Sequence, residues 1–285
     1  MFHFNGQVQI APKIISWVGM PVFIDDRERF ELLKRDVFLY DCDISHLSGL
    51  TAINHSWSAF VFNFDEILKK DPHRRAMGDI AIAVQLAKFI ANNHLNYSLV
   101  HTTSLDPRIM QVFYEYRVPV LQRDLQYRST AWDLIEKHIL PVFRLDSRVH
   151  RQSIRLRFLP MQKIMVAVKI LNRDSMPVAT AYLDNLSLNG FALFFTDRSF
   201  FAQLKLRDIA KLKMQVHDMP INVSSAIITR IEKSRGTIAV SYSIENATFI
   251  KKDEAARLSR LIYSSLRQFN HTAVTGRVGE IAEAQ

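Results

Sequence analysis

Four arginines, Arg144, Arg148, Arg151 and Arg155, stand close together in the polar segment FRLDSRVHRQSIR. A guanidinium is planar and permanently charged and presents its N–H donors as a fork, so such a run suits an anion or a planar group that accepts two parallel hydrogen bonds. Further along, Asn185-Leu-Ser187-Leu-Asn-Gly190 brings an amide, a hydroxyl and a glycine together at turn spacing, which is also an ordinary way to end a strand. The charge leans the same way. Residues 1–147 carry a net charge of −1 and residues 148–285 a net charge of +10, so the whole excess of the chain is C-terminal. Asymmetry of this kind points to an anionic partner for the second half, whether a nucleotide, a nucleic acid or an acidic lipid surface, with a merely solvated basic surface as the alternative.

Other chemistries lack their residues. There is no Gly-x-Ser-x-Gly elbow, no His-Glu-x-x-His and no clustered set of metal ligands, and no Gly-x-Gly-x-x-Gly or Walker-type loop follows a strand pattern. His46, His55, His73, His94 and His101 are scattered and read as surface or satisfied buried groups. Cys42 is the single cysteine and forms neither an internal disulfide nor a cysteine-based zinc site. The expectation is a binding protein, not an enzyme, with no cofactor and no metal. The N-terminal residues MFHFNGQVQI lack a basic stretch followed by a long apolar run, and the most apolar segment, 80–91, is interrupted by Gln85 and Lys88. It falls short of the ~20 apolar residues of a membrane span, so a cytoplasmic location is expected.

The elements that must position these side chains form two halves. The 285 residues, 48% hydrophobic and 23% charged, suit a folded chain with two cores. In the first half β-rich runs at 14–18 or 22–24, 37–40, 59–64, 97–101 and 118–121 alternate with helical patterns at 27–34, 45–54, 74–92, 106–116 and 130–139. This alternation predicts an open parallel sheet with helices on both faces over residues 1–142. Pro141 ends the helical periodicity, and residues 143–155 read as an arginine-rich linker. From 156 the pattern becomes six short strands, at 164–170, 178–183, 190–195, 209–216, 221–231 and 237–243, separated by turn-rich segments. A small six-stranded antiparallel barrel closed by a helix over 253–269 follows from that pattern, with 271–285 left as a disordered tail.

Two family resemblances rest on these residues. Arg151-Gln-Ser-Ile-Arg155 and Asn185-Leu-Ser187-Leu-Asn-Gly190 match the Arg-x-x-x-Arg and (Asp/Asn)-x-Ser-x-x-Gly signatures of PilZ domains, in the family's order and with a closing helix behind them. Over about 148–270 the chain therefore resembles a bacterial receptor for cyclic di-GMP. Five alternating strand and helix patterns make the first half look like a two-component receiver domain. The position of its phospho-accepting aspartate is Asn63, and its lysine is replaced by Gln122 or Arg123. The acidic pair is Asp25 and Asp26, or Gly19 and Met20 if the first strand is 14–18, while Thr102 or Thr103 fits the family pattern. A receiver-like fold without its phosphorylation chemistry is expected, with an unrelated α/β module for protein contacts as the alternative.

The PilZ resemblance implies that Arg151 and Arg155 wrap over guanine edges and phosphates, that Asn185 and Ser187 bond a guanine and its phosphate, and that Gly190 permits a positive φ or a close approach of ligand to backbone. Asp184 adjoins this set, either as part of the binding surface or as an ion-pair partner of the arginines. Arg144 and Arg148 extend the pocket or hold a second stacked ligand molecule, with His150 bearing on stoichiometry. Ligand ordering the linker would then reorient an N-terminal domain that contacts a downstream protein. An alternative output is a cyclic di-GMP-responsive transcription regulator, in which Arg257, Arg260 and Arg267 of the final helix meet DNA phosphates.

Overall fold

In a computed structural model of the chain the described residues are 7–8, 13–19, 24–54, 58–70, 74–122, 128–144, 155–157, 164–216, 219–244, 247–248 and 251–283. The chain divides into two compact units. One comprises Pro12–Gln152 with Phe269–Gln285, and the other Met1–Ala11 with Ser153–Gln268.

The first unit is built on five parallel strands: β1 (Lys13–Val18), β2 (Val37–Cys42), β3 (Ser58–Asn63), β4 (Ser98–Thr102) and β5 (Val120–Gln122). Their order is β2-β1-β3-β4-β5, the doubly wound arrangement whose direction of growth reverses between β1 and β3. Every residue of β3 is buried, as is the apolar run of β1, which is what helices on both faces require of central strands. Between the strands run α1 (Asp26–Lys34), α2 (Phe64–Lys70), α3 (Asp79–Asn92) and α4 (Pro107–Glu115), and one core cluster joins Ile15, Trp17, Leu39 and Val61 to Leu134, Ile135 and Phe143. Choosing between the two candidate first strands, the fold takes 13–18, so Gly19 follows it with φ +82°.

Several local expectations change. The 45–54 segment is a 3-10 helix, Ile44–Ile53, capped by the Asp43 carboxylate; its Gly49 lies so close to the Val274 carbonyl that a Cβ would collide with it. The long 74–92 helix is interrupted at Gly78, whose φ of +78° separates Arg74–Met77 from α3. Its buried stripe is Ile82, Ala83, Leu86, Ala87 and Ile90, while Met77 is 40% exposed. Pro141 does not end the helix before it. Arg128–Leu134 continues through a π-turn, Ile135–Ile139, into Leu140–Arg144, and the wider turn accommodates a proline that brings no N–H.

The second unit is antiparallel. Its strands are β6 (Arg155–Arg157), β7 (Met165–Ile170), β8 (Ala179–Ser187), β9 (Gly190–Phe194), β10 (Ile209–Val216), β11 (Met219–Glu232) and β12 (Thr237–Ser241). Hydrogen bonding runs β8-β9-β12-β11-β10-β7, and β7 pairs again with β8, so six strands close into a ring while β6 and the short strand Gln7–Val8 add outside β8. Alternation is regular: β7 and β10 bury every second residue, and Val166, Val168, Ala181, Leu212 and Ile221 fill the interior. The helix α5 (Arg198–Gln203) follows β9, its N-terminus capped by Asp197.

The last helix, α6, runs from Lys252 to Glu283, so 271–283 is helical where the sequence suggests a tail. Leu258, Leu261, Ile262 and Leu266 are buried as the spacing implies, Phe269 is 41% exposed, and Val274 is buried beside Gly49. Once a helix is nucleated each added residue gains a bond at little cost, and the Val274 contact extends it further. Residues up to Gln268 belong to the antiparallel unit and those from Phe269 to the parallel one. The chain therefore passes between units at three points, and the arginine segment is not the only covalent tie. No helix among the described residues is long and apolar enough to cross a membrane.

Candidate ligand-binding site

The polar motif is built into a strand, not a loop. Leu186 is fully buried, and β8 extends to Ser187, leaving Leu188 and Asn189 as the turn before β9. Three bonds fix this corner. The Ser187 hydroxyl donates to the Gly190 carbonyl at 3.1 Å and accepts from the Asn189 N–H at 3.4 Å, while the Tyr242 hydroxyl donates to the Ser187 carbonyl at 2.6 Å. Tyr242 is 1% exposed, and burial pushes its phenol pKa far up, so it remains a donor at all ordinary pH. Ser187 itself is 6% exposed, its single proton is committed, and one lone pair stays open.

Gly190 lacks the first of its expected reasons. Its φ is not positive. A Cβ there would collide with the Val240 carbonyl oxygen on the paired strand β12, so glycine is required by the approach of one strand to another. Asn185 and Asp184, by contrast, are half-buried and lie on the flank. The Asn185 amide donates to an Asp184 carboxylate oxygen at 3.0 Å.

The two motifs meet through β6. Arg155 is the register partner of Ser187, Leu156 of Leu186 and Arg157 of Asn185, and directly opposite Cβ atoms in an antiparallel pair lie about 4.5–5.5 Å apart. Leu156 is fully buried, which pins this register: a slip of one residue would turn a leucine outward and an arginine inward. The structure thus places the second arginine of the pair beside the polar corner. Arg144 closes the helix Leu140–Arg144, whereas Arg148, His150 and Arg151 lie outside the described residues.

Sequence reasoning passed over Arg157. It stands opposite Asn185 and pairs with Asp184 across 3.9 Å, with both side chains partly exposed. The signal was present in Arg155-Leu-Arg157, a charged–apolar–charged alternation with the period of a strand. Asp184 is thus paired with Arg157, an arginine outside the expected pair of Arg151 and Arg155. Guanidinium, carboxylate and amide so gathered offer donors and acceptors on one flank of β8.

The parallel unit has its own polar cluster at the strand ends, and its groups are occupied. The Asn63 side chain accepts from the Glu66 N–H at 3.2 Å and so caps α2. Asp65 accepts from the Thr102 hydroxyl and from the Thr103 N–H, both at 2.7 Å, and the Gln122 amide donates to the Ser104 carbonyl at 2.9 Å. Asp25 is taken up in a capping box with Glu28 at the start of α1. Among the described residues no group of three or more His, Cys, Asp or Glu is placed to hold a metal ion. In the final helix Arg257 bonds to Glu254 and to the Pro220 carbonyl, both at 3.4 Å, while Arg260 and Arg267 are exposed.

No family model matches the chain, and no curated protein matches it. Among solved structures it is similar to the PilZ domain of CeSA from a cellulose-synthesizing bacterium, at 17% identity and a TM-score of 0.27, over 36% of this chain and 91% of that one.

Proposed function

We propose that the chain is a cytoplasmic bacterial receptor for cyclic di-GMP, a PilZ-type barrel that binds its ligand without a reaction, cofactor or metal of its own. The supporting observation is the pairing of β6 with β8, which sets Arg155, the end of Arg-x-x-x-Arg, directly across from Ser187 of Asn-x-Ser-x-x-Gly. Cyclic di-GMP presents two phosphates and two guanines. Arg151 and Arg155 fork onto guanine edges or phosphates, which lysine's point charge cannot do equally well. Asn185 and Asp184 bond the guanine edge, and Ser187, whose hydroxyl already donates to the Gly190 carbonyl, takes part only as an acceptor or through the turn it holds. Arg144 and Arg148 widen the anionic pocket or hold a second stacked molecule.

In this reading ligand orders the arginine segment and changes the relation of the two units, and the N-terminal unit, receiver-like but without the phosphorylation residues, delivers the signal to a downstream protein. Calorimetry with cyclic di-GMP tests the site. Arg151→Ala and Arg155→Ala each lower affinity about ten- to hundredfold, and wild-type affinity in both variants refutes the assignment. Small-angle scattering with and without saturating ligand tests the rearrangement, which identical profiles refute.

A further inference from the structure

The antiparallel unit carries a second cationic surface, on the far end of β8 from the polar corner. On the outer face of the ring Lys169 of β7 is the register partner of Lys211 of β10, and Lys213 stands two positions on, opposite Ala167. All three lysines are exposed, and none is ion-paired among the described residues. Like charges directly opposite on a sheet repel, so this pairing, with no carboxylate in the pairing positions, runs against the stability of the fold. Tyr182, Thr180 and Ala167 on β8 and β7, and Gln215 and Asn222 on β10 and β11, add neutral outward positions beside the lysines; Asp184, further along β8, is paired with Arg157, and Glu254, which reaches the Asn222 N–H at the margin, is held by Arg257.

At the same end of the ring large aliphatic side chains face outward. Val178 is 62% exposed beside β7, Leu171 is 40% exposed at the end of β7, and Leu206 is 59% exposed in the loop before β10, flanked by exposed Lys205 and Arg207. That loop is not slack. The Lys205 N–H donates to Asp208 at 2.8 Å, the Asp208 N–H to the Lys205 carbonyl at 3.2 Å and the Arg207 N–H to the Ile228 carbonyl at 2.9 Å, with Arg207 held at φ +69°. The Leu171 N–H donates to the Ile209 carbonyl at 2.7 Å, which seats Leu171 beside the loop's exit. A fixed loop therefore presents leucine to solvent between two cations.

We propose that this surface docks on an anionic phospholipid bilayer, with Leu171, Val178 and Leu206 entering the interfacial layer and Lys169, Lys205, Arg207, Lys211 and Lys213 meeting the lipid phosphates. Cations serve any polyanion, but exposed aliphatic side chains gain only where there is hydrocarbon to enter, and Tyr182, the aromatic residue of those rows, is only partly exposed. It stands independently of the cyclic di-GMP site, which lies roughly 25 Å away along β8 at the rise of a strand.

The test is flotation of the full chain with phosphatidylcholine vesicles and with vesicles enriched in phosphatidylglycerol. Binding to the anionic vesicles alone, released by added salt, is expected. The double variant Lys169→Glu/Lys211→Glu and the variant Leu206→Asp each reduce the bound fraction about tenfold or more while cyclic di-GMP affinity by calorimetry is unchanged. No retention on anionic vesicles, equal retention of the variants, or binding of nucleic acid in preference to vesicles overturns the proposal.

Discussion

Two polar clusters sit at strand ends in this molecule, one in each unit, and they differ in what their side chains have left to offer. At the ends of the parallel strands Asn63 caps a helix, Asp65 is held by Thr102 and Thr103, and Gln122 is bonded to Ser104, so each group is engaged in holding its own loop. At the end of β8 the turn is locked by Ser187, Asn189 and Tyr242, and the flank of Arg157, Asp184 and Asn185 stays partly open beside Arg155. Residue types suited to chemistry occur at both places. A binding surface needs in addition that the fold be held by other groups, so that donors and acceptors face outward.

The most severe way to break this contrast is Gly190→Ala. The added methyl meets the Val240 carbonyl, a backbone atom that cannot swing aside, and a loss of about 3 kcal/mol is expected, read as a lowered urea midpoint. An unchanged midpoint would mean that the strands are not held so close. Tyr242→Phe comes next. It leaves the buried Ser187 carbonyl without its donor, and about 1–2 kcal/mol of stability and a weakened ligand affinity are expected together. A stability loss with intact affinity would separate the lock of the turn from the binding flank.

In the parallel unit the corresponding probe is Cys42. Burial first, then the neighbouring Asp43 and Asp41 carboxylates, push its thiol up to about 12, so it stays protonated at mildly alkaline pH. A maleimide should label it slowly in the folded chain and rapidly in denaturant, and fast native labelling would show that this region opens. The smallest effect expected is in acid. The Ser45 N–H first, then the Ser45 hydroxyl, hold the Asp43 carboxyl below its ordinary range, as the Phe200 N–H and Ser199 do for Asp197 in the other unit. Because a depressed carboxylate stabilises only while ionised, each contribution is complete above the carboxylate range and is lost as pH falls through it. Asp43→Asn should flatten acid unfolding of the parallel unit and leave that of the antiparallel unit unchanged, as followed by resolved thermal transitions. Equal flattening of both would show that the two caps do not act separately.

Much of the architecture could be read from residue patterns, because period-two and period-3.6 burial are local properties of the chain. The alternation of strands and helices before 140, the six antiparallel strands after 164 and the inward face of Leu258, Leu261, Ile262 and Leu266 all follow from it. Breaks in pattern were less legible. Pro141 looked terminal because spacing does not encode the π-turn ahead of it, in which Ile135 and Ile139 are buried. Gly78 carried no mark to tell its left-handed φ from that of any other glycine within a helical pattern.

The sequence alone determined which chemistries were possible. It set the basic charge after residue 148, the arginines and the Asn-Ser-Gly motif, because side-chain type fixes charge and hydrogen-bonding capacity before any folding. Only the tertiary structure decided which of those capacities remain available. Register placed Arg155 and Arg157 across from Ser187 and Asn185, committed the Ser187 proton to Gly190 and gave Gly190 its necessity through Val240. These are contacts between segments distant in sequence, and no local pattern records which carbonyl will stand opposite which hydroxyl.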